Sequence, residues 1–333
     1  MTTLRPRRRA SIVVLGAVAL LAVSCGMAES QPNSSAAGSS TTDASAISTR
    51  PATTAEPATT TTTTTTTFLP ADTLAPIDPP EPIPADPPVG MELVWSDEFD
   101  GDEIDVTNWT YDIGGWGWGN GEAQYYTNRP ENARTVNGLL VIELREEPFE
   151  GSSYTSARLR TQGLREFQYG RIEARIKLPA GNGTWPAFWM LGAEFEQDSA
   201  DPAKNWPAVG EIDIMEYTGK EPDLILGTVH GPGYAGAGGK SQWFRQDFDV
   251  ADDWHTFAIE WSEGRIAWFF DGQQYFELTP ENLGRREWVF DAPFFIILNL
   301  AHGGTLGGVI DRNLEYPIPY LVDYVRVYQQ SPS

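Results

Sequence analysis

Gly210-Glu-Ile-Asp-Ile-Met-Glu-Tyr217 places three carboxylates in an apolar run, with Glu211, Asp213 and Glu216 interleaved with Ile212, Ile214 and Met215. A buried, unpaired charge is costly, so acids in such company need a reason. The alternation predicts a β-strand with one apolar and one acidic face. Glu216 breaks the pattern, because its offset from Glu211 is odd and a regular strand turns it to the other side. One extra residue, a β-bulge near Ile214–Met215, restores it to the face of Glu211 and Asp213.

The same short-strand punctuation extends outward on both sides. Strand patterns cover Leu139–Leu144, Arg171–Leu178, Glu211–Glu216, His255–Trp261, Ile266–Phe270, Tyr275–Leu278, Phe294–Leu300 and Val322–Tyr328. Arg171–Leu178 alternates strictly, with Ile172, Ala174, Ile176 and Leu178 on one face and Arg171, Glu173, Arg175 and Lys177 on the solvated face. Asp271-Gly272 is a two-residue hairpin signal. No long 3.6-residue period is present. The fold class is therefore all-β, a two-sheet β-sandwich of jelly-roll type spanning residues 90–333.

The first 89 residues are of a different kind. All twelve Trp lie between Trp95 and Trp288, and no aromatic residue precedes Phe68, so the early chain cannot build a core. Arg5, Arg7, Arg8 and Arg9 precede an apolar run from Ile12 to Val23, then Ser24-Cys25-Gly26, the layout of a secretory signal over residues 1–25. Leu21-Ala-Val-Ser-Cys25 resembles a bacterial lipobox, with Cys25 as the lipidated residue. Residues 26–89 are dominated by Ser, Thr, Ala and Pro, including an unbroken Thr59–Thr67, and are expected to be a disordered linker. The expected location is extracellular, either secreted or tethered to the cell surface. Membrane contact is then confined to the N-terminal lipid.

Net charge is −23, and the first 89 residues contribute only five basic and seven acidic groups to it. An acidic domain argues against nucleic acid and other anionic polymers, and fits a neutral ligand. With a single cysteine, no intramolecular disulfide can form.

Paired carboxylates with a third helper suit glycoside hydrolysis. A retaining glycosidase needs a nucleophile and an acid/base whose carboxyl groups stand ~5–5.5 Å apart. Five residues of ideal strand separate Cα atoms by ~16 Å, so two long Glu side chains need the bulge to converge. The Glu211–Glu216 motif resembles the signature of glycoside hydrolase family 16 in its laminarinase-like form. Its flanks agree: Trp185-Pro-Ala-Phe-Trp189-Met-Leu-Gly, Gly227-Thr-Val-His230-Gly-Pro-Gly-Tyr234, Trp254-His255-Thr-Phe-Ala-Ile-Glu-Trp261 and Val322-Asp-Tyr-Val-Arg-Val-Tyr328.

The resemblance implies Glu211 as nucleophile, Asp213 as its helper and Glu216 as general acid/base. It further implies a concave cleft and endo-acting, retaining hydrolysis of β-1,3-glucan by a monomer, with no cofactor for catalysis. Mixed-linkage β-1,3-1,4-glucan cleavage, transglycosylation at the same centre, and a non-catalytic glucan-binding module are the alternatives. Trp185 and Trp189 are candidate sugar platforms, since a glucose ring packs its apolar face on an aromatic ring. Four residues apart on a strand, the two share a face. Asn120 and Trp116, in the glycine-rich Gly114–Tyr126 stretch, together with Arg158 and His230, complete the candidate substrate contacts. A structural Ca²⁺ is implied at Glu98, the Gly138 carbonyl and Asp323. His255 reads as structural. His302, ahead of Gly303-Gly304, and Thr305-Leu306 depart from the laminarinase pattern and mark a subsite as different.

Overall fold

The computed structural model describes residues 77–331. The lipobox, Cys25 and most of the Ser/Thr-rich linker lie outside the described residues. Two sheets stack on each other. The smaller has seven strands in the order Lys240–Arg245, Leu224–His230, Glu211–Tyr217, Thr184–Gly192, Phe294–His302, Arg158–Arg160 and Thr110–Tyr111. The larger, of ten, is built around Gly170–Lys177 and Ile318–Gln330, with Trp254–Ser262, Arg265–Phe270 and Gln273–Leu278 to one side. Every expected strand is present, most of them extended by one to five residues. Neighbours in the smaller sheet are all antiparallel.

Alternation fills the space between the sheets. Ile172, Ala174 and Ile176 from the larger sheet meet Phe188, Met190, Ile212, Ile296 and Leu298 from the smaller one, all fully or almost fully buried. Burying a side chain of this size contributes about 1.5–3 kcal/mol. The Asp271-Gly272 turn carries φ of 46° and 75°, the left-handed pair that a tight hairpin between Phe270 and Gln273 requires.

The charged face of Gly170–Lys177 is less open than its sequence suggests. Arg171 bonds Glu173 at 2.5 Å, and Arg175 donates to the Glu81 carbonyl at 2.7 Å. Arg326 reaches the Ile83 carbonyl at 3.0 Å, and Asn137 reaches that of Ile77 at 3.1 Å. The proline-dense residues 77–89 therefore run along the larger sheet without regular structure, their carbonyls accepting hydrogen bonds from those side chains and not from a strand ladder.

The bulge in Glu211–Tyr217 is where the sequence placed it. On one side Asp213 opposes Thr228 and Glu216 opposes Leu226, so Ile214 and Met215 together face the single residue Gly227. On the other side Asp213 opposes Trp189 and Glu216 opposes Ala187, around Phe188. Both bulge residues turn inward, Ile214 at 1% exposure and Met215 at 0%. Glu211 and Glu216 thus oppose residues four apart instead of five, a span of ~13 Å.

Gly227 is small for a reason. The carbonyl of Asp213 accepts a 2.9 Å hydrogen bond from the buried Trp268 indole. A Cβ on Gly227 would lie 2.7 Å from Trp268 Cδ1 and 2.7 Å from the Tyr275 hydroxyl. Gly227→Ala is expected to lower stability by about 1–3 kcal/mol through overpacking. Because the displaced indole is the one that braces the bulge, kcat should fall as well. Denaturant melts with parallel turnover assays check both, and a neutral change in both would contradict the packing described here.

Candidate active site

Three acids share the solvent-facing side of the smaller sheet. Glu211 opposes His230 and Leu191 across its two neighbours, and Asp213 and Glu216 follow on the same face. The His230 Nε2 lies 3.3 Å from Asp213 Oδ2 and 3.6 Å from Glu211 Oε1. Glu216 accepts a 3.1 Å hydrogen bond from the Trp185 indole. The Trp206 side chain faces Glu211 and favours its charged form, and its ring stands 6.0 Å from that of His230.

Burial and mutual repulsion set the charge state. Burial, then the Asp213 charge, holds the Glu211 carboxyl well above the usual carboxylate range, with His230 acting in the opposite direction. Burial likewise pushes Asp213 up to about 8, with the neighbouring Glu211 side chain acting in the opposite direction. Glu216 is also pushed up to about 8, by burial and by Asp213, while the Trp185 bond opposes the rise. Three crowded carboxyls cannot all ionise in one site at neutral pH, so protons are retained and the group titrates as a unit.

The sequence candidates separate into distinct places. Trp185 and Trp189 do share the acidic face, but their roles differ. Trp185 touches Glu216, whereas Trp189 donates to Asn299 at 2.7 Å and packs against Arg158, whose guanidinium is 4.7 Å from its ring. Arg158 is enclosed between Trp189 and Trp118 and lies 2.9 Å from Asp112, so it is committed within the protein. Trp116 is exposed and packs against Trp118 in a tilted pair, ring centroids 4.6 Å apart. Asn120 bonds Glu122 at 3.1 Å, and its carbonyl accepts from Thr305 at 2.8 Å. A Cβ on Gly304 would come within 3.0 Å of that Asn120 carbonyl and 3.3 Å of Trp185, which brings the glycine-rich loop beside the Glu216 end of the site.

A hydrogen-bond chain ties this loop to the sheet. Trp189 donates to Asn299, Asn299 to the Tyr126 hydroxyl, and Tyr126 to Glu122, which also receives Gln124 and Asn120. His302 is fully buried, with Nδ1 2.9 Å from the Gly183 carbonyl and Nε2 2.7 Å from the Tyr316 hydroxyl. Burial lowers its pKa to about 4, so it is a neutral packing residue beneath the Gly303–Gly308 turn. His255 stacks on Phe248 and bonds Asp271 at 2.7 Å, in keeping with a structural role.

At the positions implied for calcium, Glu98 and Asp323 each face a guanidinium. Both oxygens of Glu98 receive Arg326, at 2.9 and 2.7 Å, and Asp323 faces Arg175 at 3.3 Å. Asp100 is the carboxylate next to Gly138. Each acid is already balanced by a guanidinium, and a Ca²⁺ ion needs six or more oxygens.

The structure adds partners that the sequence reading lacked. Trp206 lies five residues before Glu211, and an exposed Trp-Pro so close to the acids was the available signal. Trp268, Tyr275 and Gly227 carried none, since their role depends on cross-sheet packing.

Comparison with known proteins fits this geometry. The sequence profile of glycosyl hydrolases family 16 matches residues 120–313. The chain is 48% identical to a β-glucanase of Rhodothermus marinus over 247 residues, 72% of this chain and 85% of that protein. The chain belongs to glycosyl hydrolases family 16. Its two-sheet architecture superposes on solved glucanase structures. One is the endo-β-1,3-glucanase of Pyrococcus furiosus, with a TM-score of 0.68, 46% identity and coverage of 73% of this chain and 96% of the other. Another is the laminarinase catalytic domain of Thermotoga maritima, with a TM-score of 0.67, 44% identity and coverage of 73% and 99%. As a family 16 member the protein is a glycoside hydrolase, and it needs no cofactor for catalysis.

Proposed function

We propose that this family 16 enzyme is an endo-acting β-1,3-glucanase that hydrolyses laminarin-type glucans with retention of configuration. The observation that carries the reading is the bulge, which puts Glu211, Asp213 and Glu216 on one face beside the Trp185 and Trp206 indoles. The names of its relatives, endo-β-1,3-glucanase and laminarinase, support the substrate class.

Glu211 attacks the anomeric carbon and forms a covalent glycosyl-enzyme, while Glu216 protonates the departing glycosidic oxygen. Glu216 then removes a proton from water, which displaces Glu211 from the sugar. Asp213 and His230, both against Glu211, orient its carboxylate and absorb its change in charge. Trp185 holds the Glu216 carboxyl in place through its indole. Trp206 and Trp116, both exposed, supply stacking surfaces for sugar rings.

The test is product analysis on laminarin, lichenan, carboxymethyl-cellulose and agarose side by side, with the anomer of the first product followed by NMR. Rapid release of laminari-oligosaccharides as β-anomers is expected. Cleavage of agarose or cellulose alone, or inversion, would overturn the reading. Export through residues 1–25, lipid attachment at Cys25 and action at the cell surface as a monomer belong to the same proposal. Metabolic labelling with a palmitate analogue, compared with Cys25→Ser, tests the anchor.

The carboxyl cluster also fixes a pH dependence. Glu216 must hold a proton to act as the acid, and its pKa is raised to about 8. Activity is therefore lost as pH rises through that value, and on the acid side it is lost as Glu211, the proposed nucleophile, takes up its own proton. The alkaline limb of kcat/KM is expected near pH 8, as a property of the coupled cluster. A limb below pH 6 would contradict this electrostatic picture.

A further inference from the structure

We propose that Glu211, Asp213 and His230 form a binding site for a divalent transition-metal ion of the Zn²⁺ type, and that its occupancy reversibly blocks the enzyme. One donor atom from each residue lies within 4.8 Å of the others. Tetrahedral Zn²⁺ with bonds of ~2.0–2.1 Å sets its ligand atoms roughly 3.3–3.4 Å apart. The two His230 separations, 3.3 Å to Asp213 and 3.6 Å to Glu211, fall at or within a few tenths of an ångström of that edge. The His230 and Glu211 backbones face each other directly in the ladder, so the set is held by the sheet and not by a loop.

Two features of the donors point to an ion. Asp213 Oδ2 is buried without a hydrogen-bond partner, and Asp213 as a whole is 4% exposed. An orphaned buried oxygen aimed at an imidazole is a ligand position without its occupant's compensation. One imidazole with two carboxylates suits a borderline ion such as Zn²⁺ better than Mg²⁺ or Ca²⁺, which favour oxygen alone. The two carboxylates also offset the ion's double charge, relieving the repulsion that otherwise retains protons here. Three protein donors leave a fourth position for water.

The outer surroundings say the ion is a visitor. A metal-bound imidazole normally donates its second N–H to an acceptor. His230 Nδ1 is buried without a partner. The site is thus built well enough to capture the ion from solution and too poorly supported to keep it permanently. Since Glu211 is the proposed nucleophile, ion binding and glycosyl transfer exclude each other. Only this inhibitory consequence rests on the proposed function; the binding rests on the geometry.

Isothermal titration of the protein with ZnCl₂ in a non-coordinating buffer at pH 7 tests the site. One ion per chain is expected, with binding weakened at least tenfold in His230→Gln and retained in both Glu216→Gln and Cys25→Ser. Co²⁺ in place of Zn²⁺ should give the visible absorption of a four-coordinate ion. If His230→Gln does not fold, protection of His230 by Zn²⁺ against diethyl pyrocarbonate replaces that arm. Zn²⁺ should also stop laminarin hydrolysis, with full recovery on adding EDTA. No heat and no protection in the wild-type protein, or equal binding by folded His230→Gln, would overturn the proposal. Zn²⁺ binding by a protein that never cleaves laminarin would uphold the site and overturn the functional reading instead.

Discussion

Glu211→Ala is expected to reduce laminarin turnover by roughly 10⁴-fold or more while leaving glucan affinity within a few-fold of wild type. The reason is the separation of tasks on the sheet. In the proposed mechanism Glu211 supplies the bond to the anomeric carbon, and nothing near it can take over. Asp213 is shorter and buried, and His230 is directed at the acids. The stacking surfaces of Trp116 and Trp206 belong to other segments and keep their positions without Glu211. Turnover assays paired with affinity electrophoresis in laminarin gels separate the two effects. Retained turnover would remove Glu211 from the role of nucleophile, and lost affinity would show that the cleft collapses without it.

Glu216→Gln should lose laminarin cleavage by about 10²–10⁴-fold, the usual range for a missing general acid. An aryl laminarioside with an acidic phenol leaving group should be spared in the first step, because that oxygen departs without a proton. The same substitution has a predictable effect on stability. A carboxyl whose folded pKa is raised contributes its stability below the unfolded value near 4.5 and loses it as pH rises through about 8. By pH 8 the wild-type protein has therefore lost most of that stability, and the neutral amide has not. The variant is expected to melt roughly a few degrees higher than wild type at pH 8 and level with it at pH 4 to 5. A lower melting temperature at both values would mean that the Glu216–Trp185 hydrogen bond outweighs the relief of charge.

The line between what was legible in the sequence and what was not follows the range of the interactions. Alternation is local, so the strands, the Asp271-Gly272 hairpin and even the bulge at Ile214–Met215 could be read directly. The bulge was available because charge and parity conflicted at Glu216, and only an inserted residue reconciles them. Long-range packing left no such trace. Trp268 and Gly227 cooperate across the two sheets, and neither looks unusual in its own segment. Arg158 and the Glu98–Asp323 pair resembled ligand positions, and nothing in the sequence marked their ion-pair partners, Asp112, Arg326 and Arg175, which are mostly distant in sequence and adjacent in space. His302 looked like a change at a subsite and is instead a buried neutral imidazole between Gly183 and Tyr316. The proline-dense residues 77–89 carry too few apolar groups to announce their course, which is set by backbone carbonyls that Arg175, Arg326 and Asn137 happen to reach.

Two bulge residues share one partner, Gly227, so the catalytic strand is one residue longer than the gap it fills. A chain without Met215 would still set its last glutamate against Leu226 and Ala187, on the face of Glu211, by running straight. The loss would be a methionine-sized volume in the core, about 2–5 kcal/mol, and not the alignment of the acids. Two strand lengths can therefore encode one constellation, and the distance between catalytic residues in the text of the gene is free to vary while the distance across the sheet is not.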